Sequence, residues 1–481
     1  MKKTVIDGVQ RYPTNGLKVL VIGAGTSGMQ TALECWRKGC EVEIIEKADE
    51  LSPIGDYFTI TPSAQTTLKD YPSMYVQYHN RVYDCILSVF APGGDCIGYE
   101  VVEWNRSNDG HASPDVKISF LNRRPEYAQM QLDQLKRLAI PVHFSQKASS
   151  MSEVDNRVIV ETETGKKFSG DICIAADGLG TVFRRREEPI RSDVMDSGYS
   201  IARCAFPTSH IKPDTPAWKL VETVKEQPEF RIYLADDLHL ILYLTADYVG
   251  IALTHPDDTG ADESWSNLRD PAVLIKVLEK SAATWDPAVV SFMKQVPVKV
   301  VDWKLKWRDV NPSWTSASGR ILAVGDAAHS FLPTSGNGVT QAIEDALSIG
   351  ECLRLGGREN AAWATKVHNK LRFERTSVLQ LMGFVNRDEI HKADLSAIKK
   401  AGKSLDVGFF RLGRWTWNHN PEKYATDNFD ACLAHLRDEK PFQNTNLPPG
   451  HVYKPWTLQE ENERMAKGIQ SDLKQNGDWS V

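Results

Sequence analysis

The 481-residue chain is too long for one simple core, so two or three domains are expected. Hydrophobic residues at 41% and charged residues at 25% fit a soluble globular protein, and a net charge of −6 argues against nucleic acid as a partner and supplies no polybasic membrane anchor. Eight cysteines stand apart, at 35, 40, 85, 96, 173, 204, 352 and 432, with no CxxC pair and no metal-ligand spacing, so no metal site is expected; Cys35, Cys173 and Cys352 fall inside apolar patterns and read as buried thiols in a reducing compartment.

Lys2 and Lys3 precede no uninterrupted apolar run before Pro13, and the most apolar later stretch, from Leu238, contains Asp247 and is too short for a bilayer. A cytoplasmic protein with no signal peptide and no membrane span is expected. The first strong element is Lys18 to Glu46. Leu17 and Val19 to Ile22 predict a buried parallel strand, Gly23-Ala24-Gly25-Thr26-Ser27-Gly28 turns into a helix, and Val42 to Ile45 predict a second strand that ends at Glu46. Gly23 permits the tight turn, Gly25 lets the backbone approach a pyrophosphate, and Gly28 lets helix and strand pack closely. The helix N-terminus can hold phosphates. Glu46 can accept hydrogen bonds from an adenosine ribose, and its charge would repel a 2′-phosphate. Together these features point to an ADP-containing cofactor without separating NAD from FAD.

A loop through Gly55-Asp56-Tyr57 follows, then a mixed aromatic stretch from Met74 to Val89, a strand over Ile97 to Trp104 and a polar turn at Asn105 to Ser113. Arg124-Pro125 opens a helix whose first turn tolerates proline, and Met130, Leu132, Leu135 and Leu138 keep helical spacing. Val142 to Phe144 starts a strand, Arg157–Glu161 and Lys167–Ser169 form a pair, and Asp171 to Ala175 is another buried parallel strand. It runs into Asp177-Gly178-Leu179-Gly180-Thr181-Val182-Phe183-Arg184. From about 190 to 300 strand-like segments alternate with Pro-rich turns, with a strand pair turning near Ala246-Asp247 and one helix near Pro271 to Lys280. Gly319 to Val324 is a strand followed by Gly325-Asp326-Ala327-Ala328-His329. Pro333 to Gly338 is a glycine-rich turn, and Val339 lies at the start of a helix. Beyond about 375 the pattern is helical with aromatic anchors at Trp415, Trp417, Tyr424 and Phe429, and from Lys440 it reads as a wrapping tail. The organisation expected is a discontinuous nucleotide-binding domain (1–80, 111–190 and 297–375), a sheet-rich domain (81–110 and 191–296) and a C-terminal helical region with its tail (376–481).

GxGxxG at 23–28, DGLGTVFR at 177–184 and GDAAH at 325–329 stand in the order of the group A flavoprotein monooxygenases. Residues 17 to 375 resemble the p-hydroxybenzoate and salicylate hydroxylase family, most nearly its members in fungal secondary metabolism. The resemblance implies an α/β fold: a Rossmann-type FAD-binding domain of the p-hydroxybenzoate hydroxylase-like kind, an interleaved sheet-rich substrate domain and a C-terminal helical region. It implies non-covalent FAD, with Asp177 meeting the pyrophosphate region and the incoming NADPH or NADH, Asp326 on the ribityl chain and Arg124 touching FAD. Gly325, Pro333, Gly336, Gly338 and Val339 complete the implied cofactor-binding set.

The residues themselves agree with these placements. Asp177 and Asp326 lie just past apolar strands, where ligands bind in open α/β sheets, and an acid there needs donors such as sugar hydroxyls. A glycine-rich turn ahead of a helix presents N–H groups and positive potential, suited to a reduced, anionic flavin. The single GxGxxG fits a resident FAD and a visiting nicotinamide cofactor. Thr181 stands where the family often has Ser, and Gly55-Asp56-Tyr57 replaces its frequent Gly-Ala-Gly. His329 reads as a satisfied core histidine.

On the substrate side, Arg203 matches an arginine on a family strand, and Tyr243 matches a tyrosine that works with it in some relatives. An arginine facing an apolar pocket must be paired or meet a ligand. It holds a phenolate or carbonyl oxygen, or it forms a salt bridge to Asp236 or Asp237. The activity implied is an FAD-dependent monooxygenase that uses NAD(P)H and O2, through a flavin hydroperoxide. It would hydroxylate or epoxidise an electron-rich aromatic or alkene substrate of polyketide or indole type, as a monomer or homodimer. A reductase or dehydrogenase on the same fold without oxygen insertion is the alternative, and a non-catalytic FAD-binding partner is a third reading.

Overall fold

A computed structural model describes residues 3–53, 55–81, 84–101, 104, 121–183, 194–257, 260, 267–391, 413–469, 471 and 473–480. The polar turn expected from Asn105 and residue Arg184 of the second motif lie outside the described residues, as does part of the expected C-terminal helical region.

The chain starts a parallel sheet with β1 (Lys18–Ile22), crosses through α1 (Thr26–Arg37) and returns in β2 (Glu41–Ile45). It then leaves for β3 (Ile86–Phe90) and β4 (Cys96–Val101), and comes back through α2 (Arg124–Arg137), β5 (Val142–His143) and β6 (Ile172–Ala175). A longer excursion lays down β7 (Val194–Pro207), β8 (Glu229–Ala235), β9 (Leu238–Leu244), β10 (Tyr248–Pro256) and β11 (Leu268–Arg269). Helices α3 (Ala272–Lys280) and α4 (Pro287–Met293) follow, then β12 (Val300–Arg308), and β13 (Ile321–Ala323) rejoins the first sheet. The remainder is mainly helical: α5 (Gly338–Gly356), α6 (Ala361–His391), α7 (Pro421–Asp438) and α8 (Leu458–Ala466).

The first sheet has the order β13-β6-β1-β2-β5 and every pairing in it is parallel. Its strands are buried on both faces, which is why they read as continuous apolar runs rather than alternating ones. The second sheet runs β11-β12-β7-β10-β9-β8-β3-β4, antiparallel apart from the β8–β3 pair.

Successive residues of a strand point to opposite faces, and this parity divides the second sheet's work. Ala202, Cys204, Leu240, Leu242, Ile251 and Leu253 pack against α3 and α4 through Leu274, Leu278 and Phe292. The alternate positions, including Ile201, Phe230, Ile241, Tyr243 and Ala252, form the other face with Tyr57 and Trp303.

Three boundaries differ from the sequence reading. β12 pairs with β7, so the sheet-rich unit extends to Arg308 and the chain returns to the nucleotide-binding unit after it, not at 297. The β12 alternation supports either assignment, and only pairing decides it. Helix α6 continues through residue 375, because nothing in its sequence breaks it there. The tail from Lys440 carries its own helix, α8, started by a capping box between Thr457 and Glu460. The tail is anchored where Leu447, Trp456, Leu458 and Leu473 pack on Val378, Leu381 and Met382 of α6.

Buried charge ties the helices together. Glu344 and Asp345 of α5 are fully buried and meet Arg372 and Arg375 of α6 at 2.5–2.9 Å. Arg375 also donates to the carbonyl oxygens of Trp415, Thr416 and Asn446, which fixes the C-terminal segment to the core. Buried ions of this kind persist only when paired, as these are.

Candidate active site

The three motif turns converge because β1, β6 and β13 are adjacent and parallel, so their C-terminal ends open on one side. At the first turn, a Cβ on Gly23 would lie 2.5 Å from the Ala176 carbonyl oxygen, and one on Gly28 would lie 2.0 Å from the Gly23 oxygen. Both must be glycine for the backbone to close. Gly25 has nothing within 4 Å of such a position and lines the cavity, so that side is open to a ligand. Helix α1 starts there with no side-chain cap and no acid in its first turn, leaving its N–H groups for a ligand. Ser27 Oγ, buried at the same place, has no hydrogen-bond partner.

Glu46 closes β2 as expected, and its two oxygens accept the backbone N–H groups of Ala24 (2.7 Å) and Ala48 (2.8 Å). A carboxylate has lone pairs beyond these two bonds, so the pair orients Glu46 while leaving it able to meet ribose hydroxyls. Asp177 Oδ2 accepts the Val182 N–H at 2.9 Å, which braces its own turn, and the residue also lines the cavity. Gly178 and Gly180 are as open as Gly25.

The turn bearing Gly325 and Asp326 lies against the Gly178–Gly180 turn and on the first turn of α1. Gly325 has a φ of +58°, and a Cβ there would press on Ser27 Oγ at 2.8 Å. Its N–H donates to Asp345 Oδ2 (3.0 Å), which also meets His329 Nε2 at 2.6 Å. His329 is thus buried and bound to Asp345 of α5, in keeping with the core histidine expected. Asp326 is exposed to the cavity. Beyond it, Pro333–Ser335 makes one turn, Gly336 takes the left-handed conformation (φ +60°), and α5 begins at Gly338 with no side-chain cap. Pro333, Gly336, Gly338 and Val339 all line the same cavity.

Arg124 begins α2 and sits over the Phe58 ring at 5.5 Å. Burial pulls its guanidinium below the ordinary value, Asp56 opposes this, and Arg203 adds to the lowering. Arg203 Nη1 lies 3.6 Å from Asp56 Oδ2, and its guanidinium is 5.8 Å from the Trp303 ring. The salt bridge expected to Asp236 or Asp237 is therefore made to Asp56; Asp237 instead accepts the Tyr199 hydroxyl at 3.2 Å. Tyr243 stacks on Tyr57 at 5.2 Å and meets Phe230 edge-on at 5.3 Å. Burial raises the Tyr243 phenol above its ordinary value and Asp56 raises it further, against the pull of Arg203 and Arg124.

These residues share one cavity of about 1160 Å³, lined from Gly25 and Glu46 at one end to Arg203, Tyr243 and Trp303 at the other. Single-ligand pockets run to roughly 300–1,000 Å³, so there is room for a dinucleotide and a second molecule. The glycine cradle, the two uncapped helix N-termini and the acids at the strand ends fit FAD. Sequence reasoning missed Asp56, Tyr57, Trp303 and His239, all of which line the cavity. The Gly55-Asp56-Tyr57 departure marked the first two, yet their partners, Arg203 and Tyr243, lie far along the chain.

A family model described as an FAD binding domain matches residues 278–365. The FAD-dependent monooxygenase fsr3 of Gibberella fujikuroi is 36% identical over 98% of this chain and 91% of its own length. Among solved structures, CtdE in complex with FAD and substrate 4 has a TM-score of 0.78 at 22% identity, over 87% of this chain and 99% of that one. A salicylate hydroxylase substrate complex has a TM-score of 0.64 at 19% identity, over 85% and 97%. Among the described residues, no helix is long and apolar enough to cross a membrane.

Proposed function

Because the chain belongs to the FAD-dependent monooxygenases of the p-hydroxybenzoate hydroxylase-like fold, we propose that it uses NADPH or NADH and O2 to oxygenate an electron-rich aromatic or alkene-bearing small molecule. The reaction is a hydroxylation or epoxidation of a secondary metabolite. One atom of O2 enters the product, the other leaves as water, and the nicotinamide is oxidised. The observation that carries this reading is a single cavity joining a dinucleotide cradle to an aromatic, largely apolar compartment with the Arg203–Asp56 pair in its wall.

Bound FAD supplies the two-electron chemistry with the nicotinamide and with O2. The chain binds and orients. Gly25 and the α1 N-terminus receive the pyrophosphate, Glu46 the adenosine ribose, and Asp177 and Asp326 the remaining hydroxyls, with Arg124 nearby. The α5 N-terminus, behind the Pro333–Gly336 turn, offers positive potential to an anionic ring edge. Arg203 takes a phenolate or carbonyl oxygen of the substrate, with Asp56 compensating the part-buried guanidinium when the site is empty. Tyr243, whose phenol is held protonated, donates a hydrogen bond toward the same oxygen. Holding that oxygen as an anion makes the substrate ring more nucleophilic. Ile201, Ile232, Ile241 and Ala252 exclude water from the reacting face.

The test is whether purified protein is yellow with FAD that acid precipitation releases, and whether NADPH or NADH bleaches it anaerobically. Selected phenols, naphthols or indoles should then accelerate aerobic nicotinamide oxidation. Flavin left oxidised by both nicotinamides would overturn the reading.

A further inference from the structure

A substrate hydroxyl held as an anion by Arg203 has to give up its proton within a largely apolar compartment. A guanidinium has no acceptor for it, and burial keeps the Tyr243 phenol protonated. Asp56, the acid beside Arg203, can take it. The residue is 3% exposed and lines the cavity, and its Oδ1 is buried with no hydrogen-bond partner. Its Oδ2 lies 3.6 Å from Arg203 Nη1, close enough for attraction but too far for a hydrogen bond. The carboxylate therefore keeps acceptor capacity that is costly to leave unmet at a buried position.

The backbone fixes Asp56 at the seam between the two halves of the cavity. Its carbonyl oxygen accepts the Arg124 N–H at 2.9 Å, at the start of α2. The next residues, Tyr57–Thr59, pair antiparallel with Leu121–Arg123, and the Thr59 hydroxyl donates to the Gly336 carbonyl at 2.7 Å. One end of this short strand is thus tied to the glycine turn assigned to the flavin. At the other end Tyr57 stacks on Tyr243. The Arg124 guanidinium also feels the Asp56 charge. A hydroxyl oxygen at ~2.8 Å from both Arg203 Nη1 and Asp56 Oδ2 closes a triangle on the 3.6 Å gap, accepting from the first and donating to the second.

Resting on the proposed function, in which Arg203 holds the substrate oxygen, we propose that Asp56 is a catalytic residue that accepts the substrate's hydroxyl proton on binding. The O–H bond breaks, its electron pair stays on the oxygen, and the proton moves to Asp56 Oδ2. The phenolate replaces the Asp56 carboxylate as a counter-ion of Arg203, so the net charge of the site is unchanged and no new unpaired charge is buried. The proton returns to that oxygen as the product leaves. The compartment thereby selects arenes that carry a free hydroxyl over their methyl ethers, which can accept from Arg203 but have nothing to give Asp56.

The experiment uses the FAD-loaded protein at pH 7 with 2-naphthol and 2-methoxynaphthalene, and depends on neither reduction nor oxygenation. Naphthol bound to wild type should show the absorption band of its anion, at a pH well below the ~10 at which a phenol ionises in water. An indicator dye in weak buffer should record no proton released. Naphthol bound in its neutral form, a proton released on binding, or no binding would overturn the proposal. Wild type should also bind naphthol about ten- to a hundredfold more tightly than the ether, the range for a hydrogen bond to a charged group. Asp56→Asn keeps the shape of the side chain and should cut that ratio about fivefold or more; the ether's extra methyl is common to both proteins. A wild type that does not discriminate, an unchanged ratio in Asp56→Asn, or equal loss of both probes would overturn the proposal. Flavin content and Tm are measured alongside, and if Asp56→Asn loses flavin the wild-type measurements decide. None of these outcomes bears on whether NADPH or NADH reduces the flavin, which the bleaching test reads separately.

Discussion

Arg203 and Asp56 sit 3.6 Å apart in the cavity wall, so a substitution at either changes both binding and charge balance. On the proposed role, Arg203→Ala removes a charge-assisted hydrogen bond to the substrate oxygen, a loss of about 1.5–3 kcal/mol, or roughly ten- to a hundredfold in oxygenation rate. Arg203→Lys keeps the charge but not the planar fork, and should recover only part of it. The measurement is product formed per nicotinamide consumed, with flavin content as control; unchanged coupling in a flavin-replete Arg203→Ala would remove Arg203 from the chemistry. The glycines of the first turn separate folding from binding. Gly28→Ala drives a Cβ into the Gly23 carbonyl and should lower both Tm and yield. Gly25→Ala meets no protein atom within 4 Å and should leave the Tm of flavin-free protein unchanged while reducing flavin retained through dialysis. Equal behaviour of the two variants would contradict the assignment of Gly25 to the cofactor. At this scale the motif residues were legible because each glycine or acid follows an apolar strand. Asp56 was not, because its partner Arg203 lies far along the chain and meets it only across the cavity.

Elements bring distant residues together through topology. The order β13-β6-β1 puts three turns side by side that are about 150 residues apart in the chain. That order is legible once parallel strands are recognised, since ligands bind at their C-terminal ends. The pairing of β12 with β7 is not legible, and neither is the passage of α6 through residue 375. Helices α1, α5 and α7 meet at a buried junction where Glu351 lies 2.6 Å from Lys38, 2.5 Å from Arg354 and 2.7 Å from the Thr426 hydroxyl. Burial pushes the Glu351 carboxyl up, but Arg354 and Lys38 outweigh it and hold it at about 2, against an ordinary 4.5. A carboxyl lowered on folding adds stability that is complete above its unfolded value and is lost as pH falls toward the folded one. Glu351→Gln should therefore cost about 1.5–3 kcal/mol near neutral pH, since Lys38 keeps Glu422 as a partner, and cost less as pH drops from about 4.5 toward about 2. Urea unfolding of both proteins near pH 7 and near pH 3 measures this, and a gap that does not narrow would contradict it.

Across the whole molecule, the sheet-rich unit supplies one wall of the cavity and the nucleotide-binding unit the other, with the C-terminal segment anchored behind the latter. Phe331 and Leu332 at the cavity pack into the cluster of Val378, Met382 and Trp456, and Gln380 donates to the Ser330 carbonyl at 2.8 Å. The aromatic spacing that marked the C-terminal region as helical reflects burial elsewhere: Trp417 is buried, and Phe429 packs in the core around the parallel sheet. Its attachment to the Ser330–Leu332 loop follows from tertiary contacts alone. The alternative reading is a reductase without oxygen insertion on the same fold, so the fate of O2 is the most direct test of the proposed activity. A compound found to accelerate nicotinamide oxidation is turned over under ¹⁸O2 and the product is analysed by mass spectrometry. One ¹⁸O atom per product molecule is expected, with none gained from H2¹⁸O in the converse experiment. A product formed at the expense of NADPH or NADH and carrying no oxygen from O2 would contradict it.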